Sequence, residues 1–309
     1  MKYQELNFID FQKRFNNEAS CRKLLFTLRW PNGFKCHKCK CKKSYHIKSR
    51  RLYMCQNCKH QESVTAGTIF HKTRMPLTVW FSLIFLMLRE KHGISSLSAK
   101  RLLGIKSYRT VWLMCQKIRK ALADRDTKYK LRGIIEVDET LIGGKKKGKR
   151  GRGAEGRTLV LFAAEKHIYF KQGQKRYKTG YCKAQVIPSA NAEDLREGVK
   201  GKIARNAFVQ TDGWKAYSKM GLNHFFHDAT VQRNQMDKTM FLPCVHRLIS
   251  NMKGNIRGTF HGIKSKYLNH YLGEFLYRYN RRKWEAQLFF SGLQACFMHN
   301  PYTLDELKA

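Results

Sequence analysis

The sequence predicts an α/β core preceded by a metal-binding ribbon and a helical region. Residues 131–300 alternate strand-like and helical segments, which favours a layered α/β domain. Residues 31–75 combine two Cys-x-x-Cys pairs with short strand-like runs, and residues 76–130 have the apolar spacing of several helices. A helical segment over residues 1–30 and a short tail over 301–309 complete the predicted organisation.

The composition indicates a partner that carries many negative charges. The 309 residues include 61 Lys and Arg against 22 Asp and Glu, a formal net charge of +39. Because 42% of the residues are hydrophobic, a packed core is expected and a disordered basic tail is excluded. Nucleic acid is the first candidate partner and an anionic membrane surface the second.

Membrane insertion is not expected. The longest apolar stretch, residues 77–88, has 12 residues, whereas a membrane-spanning helix needs roughly 20. The polar N-terminus has no signal-peptide pattern. We therefore expect a cytoplasmic protein of a prokaryote, associated with the nucleoid.

Four cysteines have the spacing of a structural zinc site. Cys36, Cys39, Cys55 and Cys58 form the pattern C-x2-C-x15-C-x2-C, which can place four thiolates tetrahedrally around one Zn²⁺. Such a closed site leaves no open coordination position. Four ordinary buried cysteines or a redox pair are the alternatives.

The predicted ribbon is also strongly basic. Residues 36–60 contain eight Lys or Arg and no acid, so the ribbon is expected to dock on phosphates; a merely solvated basic face is the alternative. The DNA-contact candidates here are Lys42, Lys43, Arg50 and Arg51.

Residues 94–121 predict two helices joined by a turn at Gly104. Ser95 or Ser96 can cap the first helix and Ser107 the second. This pattern is consistent with a helix-turn-helix, although a plain helical hairpin fits equally well. In a helix-turn-helix, Lys106 and Arg109 would lie at the start of the recognition helix. The apolar face of the first helix is predicted from Leu97, Leu102 and Leu103.

Two aspartates on predicted strands indicate a metal-dependent site. Asp138 lies within the apolar strand 133–142, and Asp212 ends the strand 207–214. Carboxylates on buried strands are costly unless they are paired or bind a cation. Two such aspartates suit a site that holds two Mg²⁺ or Mn²⁺ ions for phosphoryl transfer. Ion pairing with the abundant Lys and Arg is the alternative.

The order of the elements then narrows the fold. Strands over 158–165 and 181–188 and a helix over 192–203 separate the two acidic strands. Three strands, a helix and a fourth strand, with acids on the first and fourth, predict an RNase H-like mixed sheet with flanking helices. The Gly- and Lys-rich residues 143–157 predict a mobile loop, with DNA-contact candidates Lys145, Lys146, Lys147 and Arg150.

Five segments then resemble a known family. They are RWPNGFKCHKC (29–39), IIEVDETLIGGK (134–145), TDGWKAY (211–217), VHRLISNMKGNIRGTFHG (245–262) and YLGEFLYRYNRR (271–282). Over about residues 10–290 the chain resembles the ISXO-type zinc-ribbon insertion-sequence transposases of bacteria and archaea, which are related to the eukaryotic Merlin elements. The resemblance implies a DDE-type nuclease and strand-transfer core.

The resemblance also implies roles for particular residues. Asp138 and Asp212 match the two metal-binding aspartates. The third position, where some members have Glu, falls on Asn251, with Lys253 two residues later to contact a phosphate. This places the chain in an Asp-Asp-Asn subgroup. Further candidates near the site are His246, Glu136, Glu139 and Asp228.

The predicted function is DNA transposition. The protein would bind the terminal inverted repeats of an insertion sequence, cleave at the element ends and join the 3′-hydroxyl ends to target DNA. Two ends must be brought together, so at least a homodimer is expected on double-stranded DNA. The alternatives are a non-enzymatic zinc-ribbon DNA-binding regulator and a structure-specific nuclease or resolvase on the same fold.

Overall fold

A computed structural model describes residues 6–143, 157–219, 226–230, 241–260 and 262–308. The chain forms two compact units. The first contains Met1–Leu122 and Trp284–Leu307, and the second contains Ala123–Lys283. Residues 284–300 therefore pack with the first unit, whereas the sequence analysis extended the α/β core to residue 300. The finer domain boundaries remain predictions.

The elements follow one another along the chain in the following order. They are α1 (Phe8–Arg14), α2 (Glu18–Arg29), β1 (Ser44–Ile47), β2 (Leu52–Cys55), β3 (Gln61–Glu62), α3 (Leu77–Arg89), α4 (Ser96–Leu102), α5 (Tyr108–Asp126), β4 (Ile134–Ile142), β5 (Thr158–Lys171), β6 (Gln174–Val186), α6 (Ala192–Val199), β7 (Phe208–Asp212), α7 (Lys215–Ser218), β8 (Phe226–Thr230), α8 (Pro243–Asn255), α9 (Leu268–Asn280), α10 (Leu288–Met298) and α11 (Leu304–Lys308). A short π-helical segment, Ile256–Phe260, continues α8.

The first unit has an aromatic core built around α3. This helix buries eight side chains, including Trp80 and Phe81, and it packs against α2 and α10. The helix contains the apolar stretch noted in the sequence, so that stretch belongs to a protein core. The described part of the chain contains no helix with the length and apolar character needed to cross a membrane.

The second unit contains a five-stranded mixed sheet in the order β6-β5-β4-β7-β8. β4, β5 and β6 are antiparallel neighbours, whereas β7 pairs in parallel with β4 and with β8. The predicted succession of three strands, a helix and a fourth strand is present. β8 was not predicted, and β5 and β6 run well beyond the predicted segments.

Strand alternation divides the second unit into two cores. Side chains such as Val160 and Phe162 pack on one face of the sheet against α8 and α9. Side chains such as Ile135 and Val137 pack on the other face against α6. Because successive strand residues face opposite sides, the central strands β4 and β5 contribute to both cores. The sheet is therefore buried on both faces where the helices cover it.

Helix α9 closes the open edge of the sheet. The buried Asn280 amide donates to the Cys182 carbonyl at 3.0 Å and accepts from the Cys182 N–H at 2.8 Å. Asn269 accepts from the N–H of Val186 further along β6. Strand edges expose unpaired backbone groups that invite pairing with other chains. The YRYN part of the last family-like segment thus has a structural role.

We expect Asn280→Ala to lower the free energy of unfolding by about 2–4 kcal/mol, because it leaves two buried backbone groups without partners. Chemical denaturation followed by circular dichroism measures the effect. Asn269→Ala is the matched control, since its single bond lies at an exposed position, and we expect a loss below about 1 kcal/mol. Equal losses in the two variants would contradict the role assigned to Asn280.

Candidate functional site

The four predicted zinc ligands converge in the first unit. Cys36 and Cys39 belong to one turn and Cys55 and Cys58 to the other, and their ligand atoms all lie within 4.8 Å of one another. The Sγ atoms of Cys36 and Cys58 are 3.5 Å apart, and those of Cys39 and Cys55 are 3.4 Å apart. A tetrahedral zinc with Zn–S bonds of about 2.3 Å separates its sulfurs by about 3.8 Å. The arrangement fits a structural Zn²⁺.

The two cysteine turns have the same backbone geometry. In the first, the Lys40 N–H donates to the Cys36 carbonyl; in the second, the Lys59 N–H donates to the Cys55 carbonyl. Lys40 and Lys59 both have positive φ, 61° and 56°. A backbone N–H from Cys41 also lowers the pKa of Cys39 to about 6, which favours the thiolate that zinc requires.

The basic residues predicted on the ribbon and on the helical region are accessible. The exposed side chains are Lys42, Lys43, Arg50, Arg51, Lys106 and Arg109. Helix α4 is capped by Ser95 and α5 by Ser107, with the turn at Gly104 in positive φ. The predicted burial of the apolar face of α4 is wrong for Leu97 and Leu102, which are 47% and 68% exposed. Only the small side chains Ser96 and Ala99 of α4 are buried.

The two candidate aspartates lie on neighbouring strands, each two residues beyond the last paired residues. β4 and β7 pair in parallel up to Glu136 opposite Gln210, so the same offset carried two residues further would bring Asp138 level with Asp212, and both carboxylates lie close enough to His246 to raise its pKa. Neighbouring strands are about 4.8 Å apart. Asp138 is part-buried, and the Asp212 carboxylate accepts the N–H of Trp214 at 3.2 Å, which fixes the turn after β7.

Glu136 anchors helix α8 over this site. Its side chain is fully buried and accepts the N–H groups of Cys244 and Val245 at 2.7 and 2.9 Å. These are orphan donors of the first helical turn, where Leu242 offers no capping side chain. The other carboxylate oxygen pairs with Lys166 at 3.0 Å. A negative charge at a helix N-terminus is also favoured by the helix dipole.

Helix α8 presents His246 and Lys253 to the aspartate strand. His246 Nε2 lies 3.4 Å from Asp138 Oδ2, and this hydrogen bond raises the pKa of His246. Lys253 Nζ donates to Thr140 Oγ1 at 2.6 Å. Their separation of seven residues makes about two helical turns, which puts both on one side of α8. Burial, together with nearby Arg257, lowers the pKa of Lys253.

Asn251 does not join this group. It is exposed on α8, and a separation of five residues from His246 rotates it by about 140° around the helix. The sequence analysis placed Asn251 next to Asp138 and Asp212. The structure does not bring the three residues together. Of the residues singled out in the sequence, His246 is the one whose side chain contacts Asp138.

Other candidates near the site have different surroundings. Glu139 faces the opposite side of the sheet and accepts the hydroxyl of buried Tyr217 at 2.5 Å. Tyr217 belongs to the TDGWKAY segment and was not predicted as a site residue. Asp228 lies on β8 opposite Gln210, which donates to it at 3.3 Å. Lys145, Lys146, Lys147 and Arg150 lie outside the described residues.

An open cavity of about 1000 Å³ adjoins Lys253. Its cationic lining consists of Arg157, Lys253, Arg257 and Lys264, and the rest of the lining is mostly apolar, with side chains such as Leu141 and Ile187. Positive charge is therefore concentrated beside the aspartates.

Replacement of a thiolate should remove the zinc. We expect the purified Cys36→Ser variant to hold substantially less than one Zn²⁺ per chain and to lose stability, because ribbon folding depends on the metal. Cys41→Ser is the matched control: its thiol lies next to the site but outside the four-cysteine group, so its zinc content should equal that of the wild type. Elemental analysis of both proteins measures the metal. Full zinc occupancy in Cys36→Ser would refute the assignment.

Two comparisons with known proteins agree with this geometry. A family model described as an ISXO2-like transposase domain matches residues 130–280, and one described as a transposase zinc-ribbon domain matches residues 16–61. An "Uncharacterized protein in transposable element ISH50" from Halobacterium salinarum is 27% identical over 219 residues, which cover 67% of this chain and 71% of that protein. These matches confirm the resemblance noted in the sequence: the chain combines a segment similar to ISXO2-like transposase domains with a segment similar to transposase zinc-ribbon domains.

Proposed function

We propose that the second unit is an RNase H-like DDE-type core that cleaves DNA at the ends of an insertion sequence and joins the ends to target DNA. The observation that carries this proposal is the alignment of Asp138 and Asp212 on neighbouring parallel strands, with His246 against Asp138. A strand-borne pair of carboxylates in a chain of net charge +39 suits a metal site that acts on a polyanion.

The donor set fits divalent metal ions. Carboxylate oxygens are preferred ligands of Mg²⁺ and Mn²⁺, and an imidazole nitrogen also suits Mn²⁺. Among the described residues, the cysteines form the only group of three or more candidate ligands within 4.8 Å of one another, so the ligand atoms of Asp138, Asp212 and His246 are not all that close in this structure. Bound there, such ions would activate the attacking water or 3′-hydroxyl and neutralise the leaving oxygen.

The side chains around the metal site position the DNA backbone. Lys253 donates to Thr140, on the same strand as Asp138, and its ammonium group would contact a phosphate of DNA bound at this strand. Arg257 and Arg157 line the adjoining cavity and extend this positive surface. Preorganised cations stabilise charge that develops on a phosphoryl group without needing to rearrange during the reaction.

We assign the third position of the site to His246. Two observations support this assignment: His246 contacts Asp138, and Asn251 lies on a different side of α8. A neutral imidazole can ligate a metal, and a neighbouring carboxylate orients its ring. Asn251, although it matched the family pattern in the sequence, is left as an exposed residue of α8.

The first unit is proposed to bind the terminal repeats. Zinc-ribbon cations and the start of α5 offer exposed contacts for phosphates and bases. Joining two ends requires at least two copies of the chain on the DNA.

The aspartates should be essential for cutting and dispensable for binding. With a labelled element-end duplex and Mg²⁺ or Mn²⁺, we expect Asp138→Asn and Asp212→Asn to lower the cleavage rate at least about a thousandfold, because each removes a charged metal ligand. DNA affinity measured by gel shift in the absence of metal should change less than about threefold.

Joined products in the wild type would identify strand transfer. Cutting of branched DNA without joining would favour a structure-specific nuclease. If both aspartate variants performed every function of the wild type, the chain would be a DNA-binding regulator.

A pair of substitutions on α8 distinguishes the two candidates for the third position. We expect His246→Ala to reduce cleavage about a hundredfold or more, whereas Asn251→Ala should stay within about threefold of the wild type. Both residues are exposed on the same helix, so thermal melting should show similar stabilities. The reverse order of activities would return the third position to Asn251.

A further inference from the structure

The long hairpin of β5 and β6 projects beyond the sheet as a two-stranded ribbon. β4 stops pairing with β5 at Glu165, opposite Ile135, whereas β5 and β6 continue to pair from Lys166 with Thr179 to Lys171 with Gln174. These six pairs extend about 20 Å. Gln172 and Gly173 both adopt positive φ at the tip, as a tight hairpin turn requires. We call residues 166–179 the arm.

The root of the arm is fixed to the rest of the unit. Lys166 bonds to Glu136 and to Gln210, both at 3.0 Å. Arg247 of α8 donates to Thr179 Oγ1 at 3.2 Å. A register shift follows Ala164, and at that point a side chain on Gly180 would collide with His167. These contacts hold the arm in one direction, so a partner would bind a preformed surface.

The arm keeps large apolar side chains exposed. Ile168, Tyr169 and Phe170 are 40%, 45% and 72% exposed. Cross-strand pairing puts Phe170 beside Lys175 and Tyr169 beside Arg176. An isolated two-stranded ribbon is only marginally stable in water, and exposed aromatic groups give it no core. Exposed apolar side chains grouped in this way mark interaction surfaces.

The charge of the arm indicates which kind of partner it can bind. Residues 166–179 contain five Lys or Arg and no Asp or Glu. Near the root, Lys178 lowers the pKa of Lys283, because the two ammonium groups crowd each other. Pairing of two arms along β6 would set cations against cations, which opposes self-association. A polyanion complements this surface, and the major groove of B-DNA accepts a two-stranded β-ribbon.

We propose that the arm docks in the major groove of duplex DNA, with its cations on the phosphates and with Ile168 and Phe170, which share one face of the ribbon, towards the base edges. The inference rests on the proposed function for the choice of DNA substrate. Phe162, opposite Asp138, and Phe170 are eight residues apart on β5, or about 27 Å. The contact should therefore fall about six to ten base pairs from the cut.

The first test compares two variants that each lose two cations. Lys175→Ala/Arg176→Ala changes the arm, and Lys200→Ala/Arg205→Ala changes exposed residues elsewhere in the same unit. On an element-end duplex of about 40 base pairs without metal, we expect the arm variant to bind about tenfold more weakly and the control within about threefold. Equal affinities of the two variants would overturn the proposal.

The second test maps the contact directly. The full chain carrying Phe170→p-benzoylphenylalanine is irradiated with the same labelled duplex, and the cross-linked base is located. A cross-link about six to ten base pairs from the element boundary supports docking of the arm. Cross-linking only to a second copy of the chain would overturn it, as would the absence of any DNA cross-link from protein that binds the duplex.

The two proposals fail in distinguishable ways. If the wild type shows no metal-dependent cleavage but the cross-link forms, the proposed nuclease activity is refuted and the proposed docking of the arm is retained. Normal cleavage, with arm and control variants of equal affinity, would refute the arm alone.

Discussion

The buried carboxylate of Glu136 is the interaction on which the second unit depends. It joins three elements at once: strand β4, the first turn of α8 and, through Lys166, the root of the long hairpin. Removing one partner from a buried ion pair typically costs about 3–5 kcal/mol, because the other charge is left uncompensated. The carboxylate two residues later, Asp138, faces the same side of the strand. One strand therefore supplies both a structural acid and the proposed metal-binding acid, and the first sets the position of the helix that faces the second.

This arrangement explains why α8 can approach a strand that carries so much negative charge. The first turn of α8, His246 and Lys253 supply hydrogen-bonding or positive groups to Glu136, Asp138 and Thr140 in turn. Each contact is made at successive positions on one face of β4. A row of polar contacts thus aligns the helix with the strand next to the apolar core formed by residues such as Phe162 and Leu248.

Features carried by local spacing could be predicted from the sequence, whereas features set by packing could not. The cysteine turns, the helix caps at Ser95 and Ser107 and the strand positions of Asp138 and Asp212 follow from patterns within a few residues. The geometry of the third site position depends on how α8 is rotated, which Glu136 fixes from over a hundred residues away. The family resemblance indicated Asn251 as the third position. Asn251 and His246 lie on the same helix, and the rotation of that helix decides which of them faces Asp138. The extension of β5 and β6 was missed because its alternation of aromatic and basic residues suggests no buried face. The segment around Gln172 and Gly173 did contain a hairpin signal, which is a tight turn between two segments that alternate apolar and polar residues.

Helix α10 gives the first unit a dependence on the last part of the chain. It packs against α3, and a side chain on Gly292 would collide with Leu88, so its close fit is part of the core that also holds Phe289. The first unit is therefore completed only after the whole second unit has been synthesised. A product truncated before residue 284 would lack this helix and leave the apolar surface of α3 uncovered. Such a fragment would expose apolar surface that the full-length chain buries, and large exposed apolar patches promote aggregation.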